Sequence, residues 1–506
     1  MVKQISLKKN IITSYFSQGY VVLLGIIVLP FYISEMGAEA YGLVGFFAML
    51  QSWFNLLDLG LTPTIGRETA RMRAGKYDNI TYRRLFRSLN IIFVCVAVIG
   101  GVSLLILSGL IAEKWLHVER LSISEVSFAL KIMIISIALR WMTGLYRGVV
   151  SGSEQFVWLS GFNVIIATLR FLIVFPVMWL FGATPTVFFS YQFIVAIIEF
   201  SGLLIKAKNL LPKLTSLQAG KIGWSIKPIK SIIGFSISIA LTSGIWVLVT
   251  QTDKLIMSNL LTLENYGYFT LAVLVASGIM MITAPISSAI MPRMVKLEAD
   301  GKYEELIRIY RHLTQIVTVI AGSVAIILSS FTVQILYVWT GDRHIAEVAA
   351  PIMQLYAIGY GILAVAAFPY YLQYAKGSLK LHIYGSVLFV IILLPVLFWA
   401  THQYGMIGAG YAWLFVNFLY FMIWTLIVHN TFAKGIHSQW LFHDIFVPIA
   451  LPIVVGILLH DFVQDGTRII LLLKIFGASL IIITSAILSS RIAKDHLLKI
   501  ILRKYL

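Results

Sequence analysis

MVKQISLKKNIITSYFSQGYVVLLGIIVLPFYISEMGAEAYG, Met1 to Gly42, holds the pattern that decides the fold. Lys3, Lys8 and Lys9 precede an apolar run from Ile11 to Ile33, and the link after that run carries no Lys or Arg. The run meets the ~20 apolar residues that a bilayer core demands. It is too long for the core of a secretory signal and lacks a small-residue cleavage site, so it reads as a retained first span. The same alternation continues to the other end of the chain. Cutting at the apolar runs gives about fourteen spans of bilayer length. They fall near 10–33, 41–62, 88–111, 127–150, 157–181, 184–206, 232–257, 267–291, 313–337, 346–372, 382–401, 407–429, 445–462 and 467–489. Every second link, counted from the N-terminus, collects 30 of the 39 Lys and Arg residues, Arg147 among them. The intervening links hold only Lys114, Arg120, Arg343 and Arg468. Cytoplasmic loops retain Lys and Arg, so an even number of crossings with both termini inside is expected.

Composition agrees with that reading. Hydrophobic residues make up 59% of the chain and charged ones 12%, with a mean hydropathy of +0.89. A soluble domain carries about twice that charged fraction. The net charge of +17 could suggest a nucleic-acid partner, but the basic residues sit in links flanking the spans, where anionic lipid headgroups are their neighbours. No nucleic acid is expected. The single cysteine, Cys95, lies inside an apolar run and offers no disulfide framework. Spans of this length must be helical, because every backbone amide in lipid has to be satisfied within its own segment.

The two halves of the chain resemble each other. EAYG (Glu39 to Gly42) recurs as ENYG (Glu264 to Gly267), AGKY (Ala74 to Tyr77) as DGKY (Asp300 to Tyr303), and FGATP (Phe181 to Pro185) loosely as YGMIG (Tyr404 to Gly408). The offset is nearly constant and covers six spans, an even number, so the repeats run parallel. The expected architecture is all-α and polytopic: two parallel-repeat six-helix bundles plus two C-terminal helices. The bundles would occupy 1–206 and 232–430, joined by a basic linker over 207–231, with residues 431–506 as an appendage of two spans and a basic tail. A site is expected where the halves meet.

Charges inside the spans are the next signal, since each costs a few kcal/mol unless paired or watered. Arg140 and Arg170 both fall ~20 Å deep at 1.5 Å per residue, counted from opposite faces. Guanidiniums bind a diphosphate in a bidentate fork and stay charged at any pH. The competing reading is that each ties the bundle together through a carboxylate or a helix end. Glu199, in the sixth span, is a candidate coupling site for a proton or Na⁺, or else a structural partner of Arg170 or Lys206. Asp253 and Lys254 are adjacent, so they point in different directions on a helix and are expected to satisfy one another poorly. Lys254 joins the candidate substrate ligands and Asp253 the candidate coupling acids, although a helix-terminal interaction is the commoner role for an acid placed like Asp253. Asp58, before Gly60 and Pro63 where the second helix ends or bends, is read first as a structural residue and second as a coupling candidate. Aromatic residues such as Trp141, Tyr370, Tyr371 and Tyr374 could stack on sugar rings or serve as packing and interfacial belt.

Met36 to Asp78 resembles the N-terminal signature of polysaccharide biosynthesis flippases, in which a "lG…yGl" loop precedes an "lDlGl" helix end and a basic loop. QTDKLIMSNLLTLENYGYFTLA (Gln251 to Ala272) is similar to their second-half segment. The likeness covers roughly residues 1–430 and points to the O-antigen and capsule branch of the multidrug/oligosaccharidyl-lipid/polysaccharide exporter superfamily. It implies two six-helix bundles around a central cavity in the inner (cytoplasmic) membrane. It also implies transfer of undecaprenyl-diphosphate-linked oligosaccharide to the outer leaflet by alternating access, with a polysaccharide polymerase and a chain-length regulator as partners. Family members often have twelve spans, so fourteen is a departure.

Two other readings stay open. A drug or cation exporter of the same superfamily expects an acidic cavity, whereas the spans hold three acids (Asp58, Glu199, Asp253) against five bases. A membrane-embedded glycan polymerase or ligase expects a large outer loop, and the sequence offers none. A transporter is therefore expected, not an enzyme. There is no G-x-x-x-x-G-K-[ST] phosphate loop and no H-E-x-x-H, so no cofactor or metal is expected. Any energy would come from an ion or substrate gradient.

Overall fold

The computed structural model describes residues 7–76, 78–214, 227–230 and 232–491. The middle of the expected linker, 215–226, its last residue 231, the first six residues with Lys3, and the basic tail after 491 lie outside the described residues. Within the described residues the structure is helical, with one isolated bridge between His117 and Thr262. The chain opens with α1 (Leu7–Ile27) and α2 (Leu29–Met36). Together they form one apolar stretch, interrupted where Pro30 removes a backbone donor. α3 (Ala38–Phe54) tightens into a 3-10 turn, Asn55–Asp58, and stops there. Leu59 and Gly60 are both left-handed (φ 47 and 70), and α4 (Leu61–Arg73) sets off afresh. The bend expected near Asp58 is therefore a two-residue break.

α5 (Asn79–Leu110), α6 (Ile123–Gly152), α7 (Phe156–Phe171), α8 (Val174–Phe181) and α9 (Pro185–Leu210) follow. After the linker come α10 (Ile233–Leu260), α11 (Leu263–Ala299), α12 (Tyr303–Ser330), α13 (Thr332–Thr340), α14 (Arg343–Ala366) and α15 (Phe368–Ala375). α16 (Lys380–Leu419) passes through a π-helical turn, Tyr420–Trp424, into α17 (Thr425–Phe432). Another π turn, Trp440–Phe446, leads into α18 (Val447–His460), and α19 (Arg468–Ser489) closes the described chain.

Twelve helical stretches among the described residues are long and apolar enough to cross a membrane, against about fourteen expected from the sequence. Two features account for the difference. Lys380–Phe432 is a single stretch of 53 residues that takes in both expected spans 382–401 and 407–429. At 1.5 Å per residue it would measure about 80 Å if straight, more than twice the bilayer core. It is not straight, because Gly405 has non-helical dihedrals (φ 57, ψ −135). α10, the expected span 232–257, is helical over 28 residues but is not among the twelve.

The chain falls into two compact units divided between Gly267 and Tyr268. In the first, α6 packs against α4, α5 and α9, α1 against α7, and α10 against α3 and α4. In the second, α12 packs against α14 and α18, and Phe331, Val463, Ala478 and Ile482 form a fully buried knot with α18 and α19.

The recurring tetrapeptides sit at matching places. Gly75 and Gly301 both take positive φ (80 and 71) just past the ends of α4 and α11, as do Gly182 and Gly405 (104 and 57) in the third pair. Such positions favour glycine because a Cβ clashes there. In the first pair the glycines meet each other. A Cβ on Gly267 would lie 2.8 Å from the Ala38 carbonyl oxygen and 3.2 Å from the Gly42 nitrogen. The acids of the same motifs hold one loop. Glu39 accepts from the backbone N–H groups of Glu119, Arg120 and Leu121 at 2.6, 2.9 and 2.9 Å, and Glu264 pairs with the Arg120 side chain at 3.3 Å.

Candidate functional site

Inside the first unit, α6 and α9 lie side by side and run in the same direction. Arg140 meets Gln192 and Arg147 meets Glu199, each pair 52 residues apart. Two pairs at one separation require parallel helices, which fits a single crossing, α7 with α8, between them. Seven residues are close to two helical turns, so each helix presents two polar side chains on one face and the pairs form two rungs. In the first rung, Arg140 Nη2 donates to Gln192 Oε1 at 2.9 Å. In the second, Arg147 Nη2 donates to Glu199 Oε1 at 2.6 Å, while Arg147 Nη1 donates to Asn163 Oδ1 at 2.8 Å.

Arg170 enters from the end of α7, where the helix breaks ahead of Pro176. There the Ile173 N–H bonds to the Thr168 carbonyl and the Phe175 N–H to the Leu172 carbonyl. The carbonyls of Leu169 and Phe171 thereby lose their helical donors, and Tyr191 and Tyr32 hydroxyls serve them at 2.8 and 3.4 Å. Gln192 Nε2 donates to the Arg170 carbonyl at 3.0 Å, which fixes the side-chain origin beside both rungs. From that point Arg170 Nη2 reaches Glu199 Oε2 at 2.8 Å. One carboxylate, 6% exposed, thus carries two guanidiniums.

Arg140 has no carboxylate partner among the described residues. It is 6% exposed, with its guanidinium 5.0 Å from the centre of the Phe47 ring, a cation–π arrangement. The Nε–H groups of both Arg140 and Arg170 are buried and find no acceptor among the described residues. Buried donors of this kind are costly unless something accepts from them.

Arg140 and Arg147 also line a cavity of about 410 Å³, whose walls include Asn55, Asp58 and Thr143. Asp58 accepts from the Thr62 backbone N–H (3.2 Å) and hydroxyl (2.6 Å), so it caps the start of α4 while facing this space. Counted together, Arg140, Arg147 and Arg170 against Glu199 and Asp58 leave a net charge of +1.

The profile of the family described as "Polysaccharide biosynthesis protein" matches residues 7–298, more than half of the chain. The chain belongs to that family. A Shigella flexneri protein named as a candidate O-antigen transporter is 22% identical over 412 residues, covering 81% of this chain and 94% of the relative. Among solved structures, an inward-facing multidrug resistance MATE family transporter of the MOP superfamily superposes with a TM-score of 0.68 at 12% identity, covering 81% of this chain and 94% of that one. The lipid II flippase MurJ, in an inward closed conformation, superposes with a TM-score of 0.67 at 13% identity, covering 94% and 97%. At these identities the structural likeness establishes the fold, that of MOP-superfamily transporters.

In this polysaccharide biosynthesis protein the six residues singled out from sequence divide into two places. Arg140, Arg170 and Glu199 join one network, and Asp58 shares a cavity wall with Arg140. Asp253 and Lys254 lie apart on α10, and here one expectation is corrected. Lys254 Nζ approaches Asp253 Oδ1 to 3.5 Å and donates to the Thr250 carbonyl at 2.6 Å. Adjacent side chains do diverge on a helix, but the lysine stem is long enough to fold back over the preceding turn.

Arg147 is a second correction. Counted as a link residue, it sits instead within the candidate span Ile123–Gly152 and completes the cluster. The signal that would have found it is the seven-residue spacing from Arg140, matched by Gln192 and Glu199 on α9. Trp141 stacks on Phe93 at 4.6 Å and meets the edge of Phe54 at 5.8 Å, so its ring is used in packing.

Proposed function

We propose that this protein is a flippase that carries an undecaprenyl-diphosphate-linked oligosaccharide from the cytoplasmic to the outer leaflet, with the diphosphate taken by Arg140 and Arg170 and by Arg147 beside them. The observation that carries the reading is the buried cluster itself. Two guanidiniums, of Arg147 and Arg170, share Glu199 while Arg140 has only Gln192, two of the three Nε–H groups lack acceptors among the described residues, and the cluster adjoins a cavity of about 410 Å³. A diphosphate supplies two negative charges and several acceptor oxygens, which matches that deficit. The family and the Shigella relative's name support polysaccharide export, and the MurJ likeness supports a lipid-linked cargo.

The second unit contributes an apolar cavity of about 1070 Å³ that follows the π turn and α18 from Leu441 to His460, with Ile326, Ile358, Phe421 and Ile449 on its walls. Nineteen residue steps span about 28 Å, close to the hydrocarbon thickness, which suits a polyprenyl chain. Splitting Lys380–Phe432 at Gly405 and counting α10 gives fourteen crossings, so both termini lie on the side that retains Lys and Arg. The parallel repeat supports alternating access by two halves. A proton or Na⁺ acting at Glu199 would have to displace two ion pairs, whereas Asp58 and Asp253 are engaged by Thr62 and Lys254. A cationic drug would meet Arg140 and Arg147 beside Asp58, which disfavours the drug-exporter reading.

The test is leaflet-resolved transport of a defined lipid-linked oligosaccharide in proteoliposomes, with and without a pH or Na⁺ gradient. Arg140→Ala and Arg170→Ala are each expected to abolish transfer, with Arg→Lys restoring it in part. Transfer at the normal rate by both alanine variants would remove the diphosphate site.

A further inference from the structure

The second unit holds a polar cavity that the proposed transport does not use. It measures about 780 Å³ and is built by α12, by the segment from Lys434 through the π turn Trp440–Phe446, and by the end of α19. Its frame is cross-tied between these segments. Arg311 on α12 grips Asp444 with two donors, Nε at 2.6 Å and Nη2 at 3.3 Å, and gives a third to Gln439 Oε1 at 3.1 Å. Gln315, one turn further along α12, donates to the His443 carbonyl at 3.2 Å and accepts from the Ser490 hydroxyl at 2.7 Å. Asp444 and Gln315 are both buried, so the three segments are fixed by interior bonds. The π turn that presents His443 and Asp444 is a distortion concentrated at functional sites.

Around that frame stand three cations with no ion-pair or hydrogen-bond partner among the described residues: Arg308, Lys434 and Arg491. All three are exposed and all three line the cavity. With Arg311 they bring four positive charges against Glu304 and Asp444, a net of +2. The walls also carry Ile307, Ile436 and Val447, so the space is amphipathic. Each of the three cations comes from a different one of the alternate links that together collect 30 of the 39 Lys and Arg residues, the set expected on the cytoplasmic face, where the leaflet is anionic.

We infer that this cavity is a binding site for the phosphate headgroup of an anionic phospholipid from the cytoplasmic leaflet. Arg308, Lys434 and Arg491 hold the phosphate oxygens, and the apolar walls meet the glycerol and the first methylenes. The chemistry recognised is a phosphate; the lipid is favoured as its source because the walls are partly apolar and the cations flank spans. The site joins α12 to the appended helices α18 and α19, which have no counterpart in the sequence repeat, and gives them a role as a lipid-responsive clamp.

The experiment uses the full chain in detergent. Dioctanoyl phosphatidylglycerol, dioctanoyl phosphatidylcholine and inorganic phosphate are titrated separately, with binding read by native mass spectrometry and by thermal shift. Phosphatidylglycerol should bind at least about tenfold more tightly than phosphatidylcholine. Each of Arg308→Ala, Lys434→Ala and Arg491→Ala should weaken it about fivefold, and the triple variant by about a hundredfold. Lys76→Ala, an exposed cation in the first unit, should bind like the wild type. Equal affinity for the two lipids, or a triple variant that binds phosphatidylglycerol normally, would overturn the site. Inorganic phosphate binding as tightly as phosphatidylglycerol would overturn the lipid as its source. Should the triple variant fail to fold, the single variants decide by the same criteria, since each removes only an exposed side chain.

Discussion

Glu199→Gln separates a structural bridge from an ion-coupling site. The substitution keeps the shape and removes the charge that Arg147 and Arg170 share at 2.6 and 2.8 Å. Deleting one partner of a fully buried ion pair costs ~3–5 kcal/mol, because the other charge is left unpaired. Here the two arginine side chains are 30% and 25% exposed, and Arg147 keeps Asn163, so the lower end applies, about 3 kcal/mol. The melting temperature of the purified protein should therefore fall by several degrees. Adding Arg147→Gln removes one orphaned charge and should recover roughly half of the loss. Transport then discriminates the two roles. If Glu199 only bridges, the double variant regains stability and its remaining transfer, slowed by the loss of Arg147, responds to the gradient in the same proportion as the wild type. If Glu199 carries the coupling ion, stability returns and the response to the gradient does not. A Glu199→Gln protein as stable as the wild type would refute the charge-sharing argument at its root.

Replacing Arg140 by methionine should raise stability without substrate, because its guanidinium has only Gln192 and the Phe47 face for company. The same variant should lose the thermal stabilisation that a lipid diphosphate gives the wild type; persistence of that shift would exclude Arg140 as a ligand. Gly267→Val should sharply lower the yield of folded protein, since even a Cβ there would press on Ala38 and Gly42. Normal yield and melting would show that the crossing of α3 and α11 is looser than its spacing implies. Asp58→Ala should cost about 1 kcal/mol through the lost cap on α4, and Asp58→Asn much less. Transport defects in Asp58→Asn at normal stability would instead assign Asp58 to ion coupling.

Most of the candidate spans and the break after Asp58 were legible in the sequence because each depends on local composition: apolar length and a Gly–Pro signal; the expected count of about fourteen met twelve such stretches among the described residues. The site was legible only in part. Arg140, Arg170 and Glu199 stood out as charges at bilayer depth, a property of each residue taken alone. Arg147 did not, because counting cations in links assigns any arginine near a span end to the loop. Its partner lies 52 residues away, and nothing local to Arg147 points there. The information was present in the paired seven-residue spacings of α6 and α9, which become meaningful only when the two helices are known to run parallel. The reach of Lys254 back to Thr250 was missed for a different reason: backbone direction fixes where a Cβ points, not where a four-carbon stem ends.

The charge balance of the cluster links these parts to function. A guanidinium at the centre of a membrane helix costs ~2.5–3.5 kcal/mol on insertion scales. The cluster gathers three and returns one carboxylate to pair with them, Glu199, since Asp58 on the cavity wall is engaged by Thr62, so the pairing is incomplete among the described residues. Glu199 has two oxygens, both occupied, and Arg140 is left to a neutral amide and a ring face. A bundle built for stability alone would fare better with apolar side chains in these positions, since well-packed hydrophobic replacements of buried ion pairs are often neutral or stabilising. The excess of positive charge is therefore a standing cost, located where side chains from α6, α7 and α9 converge on one point. Under the proposed function that cost is relieved by an anion that reaches bilayer depth, as a diphosphate anchored on a lipid tail can.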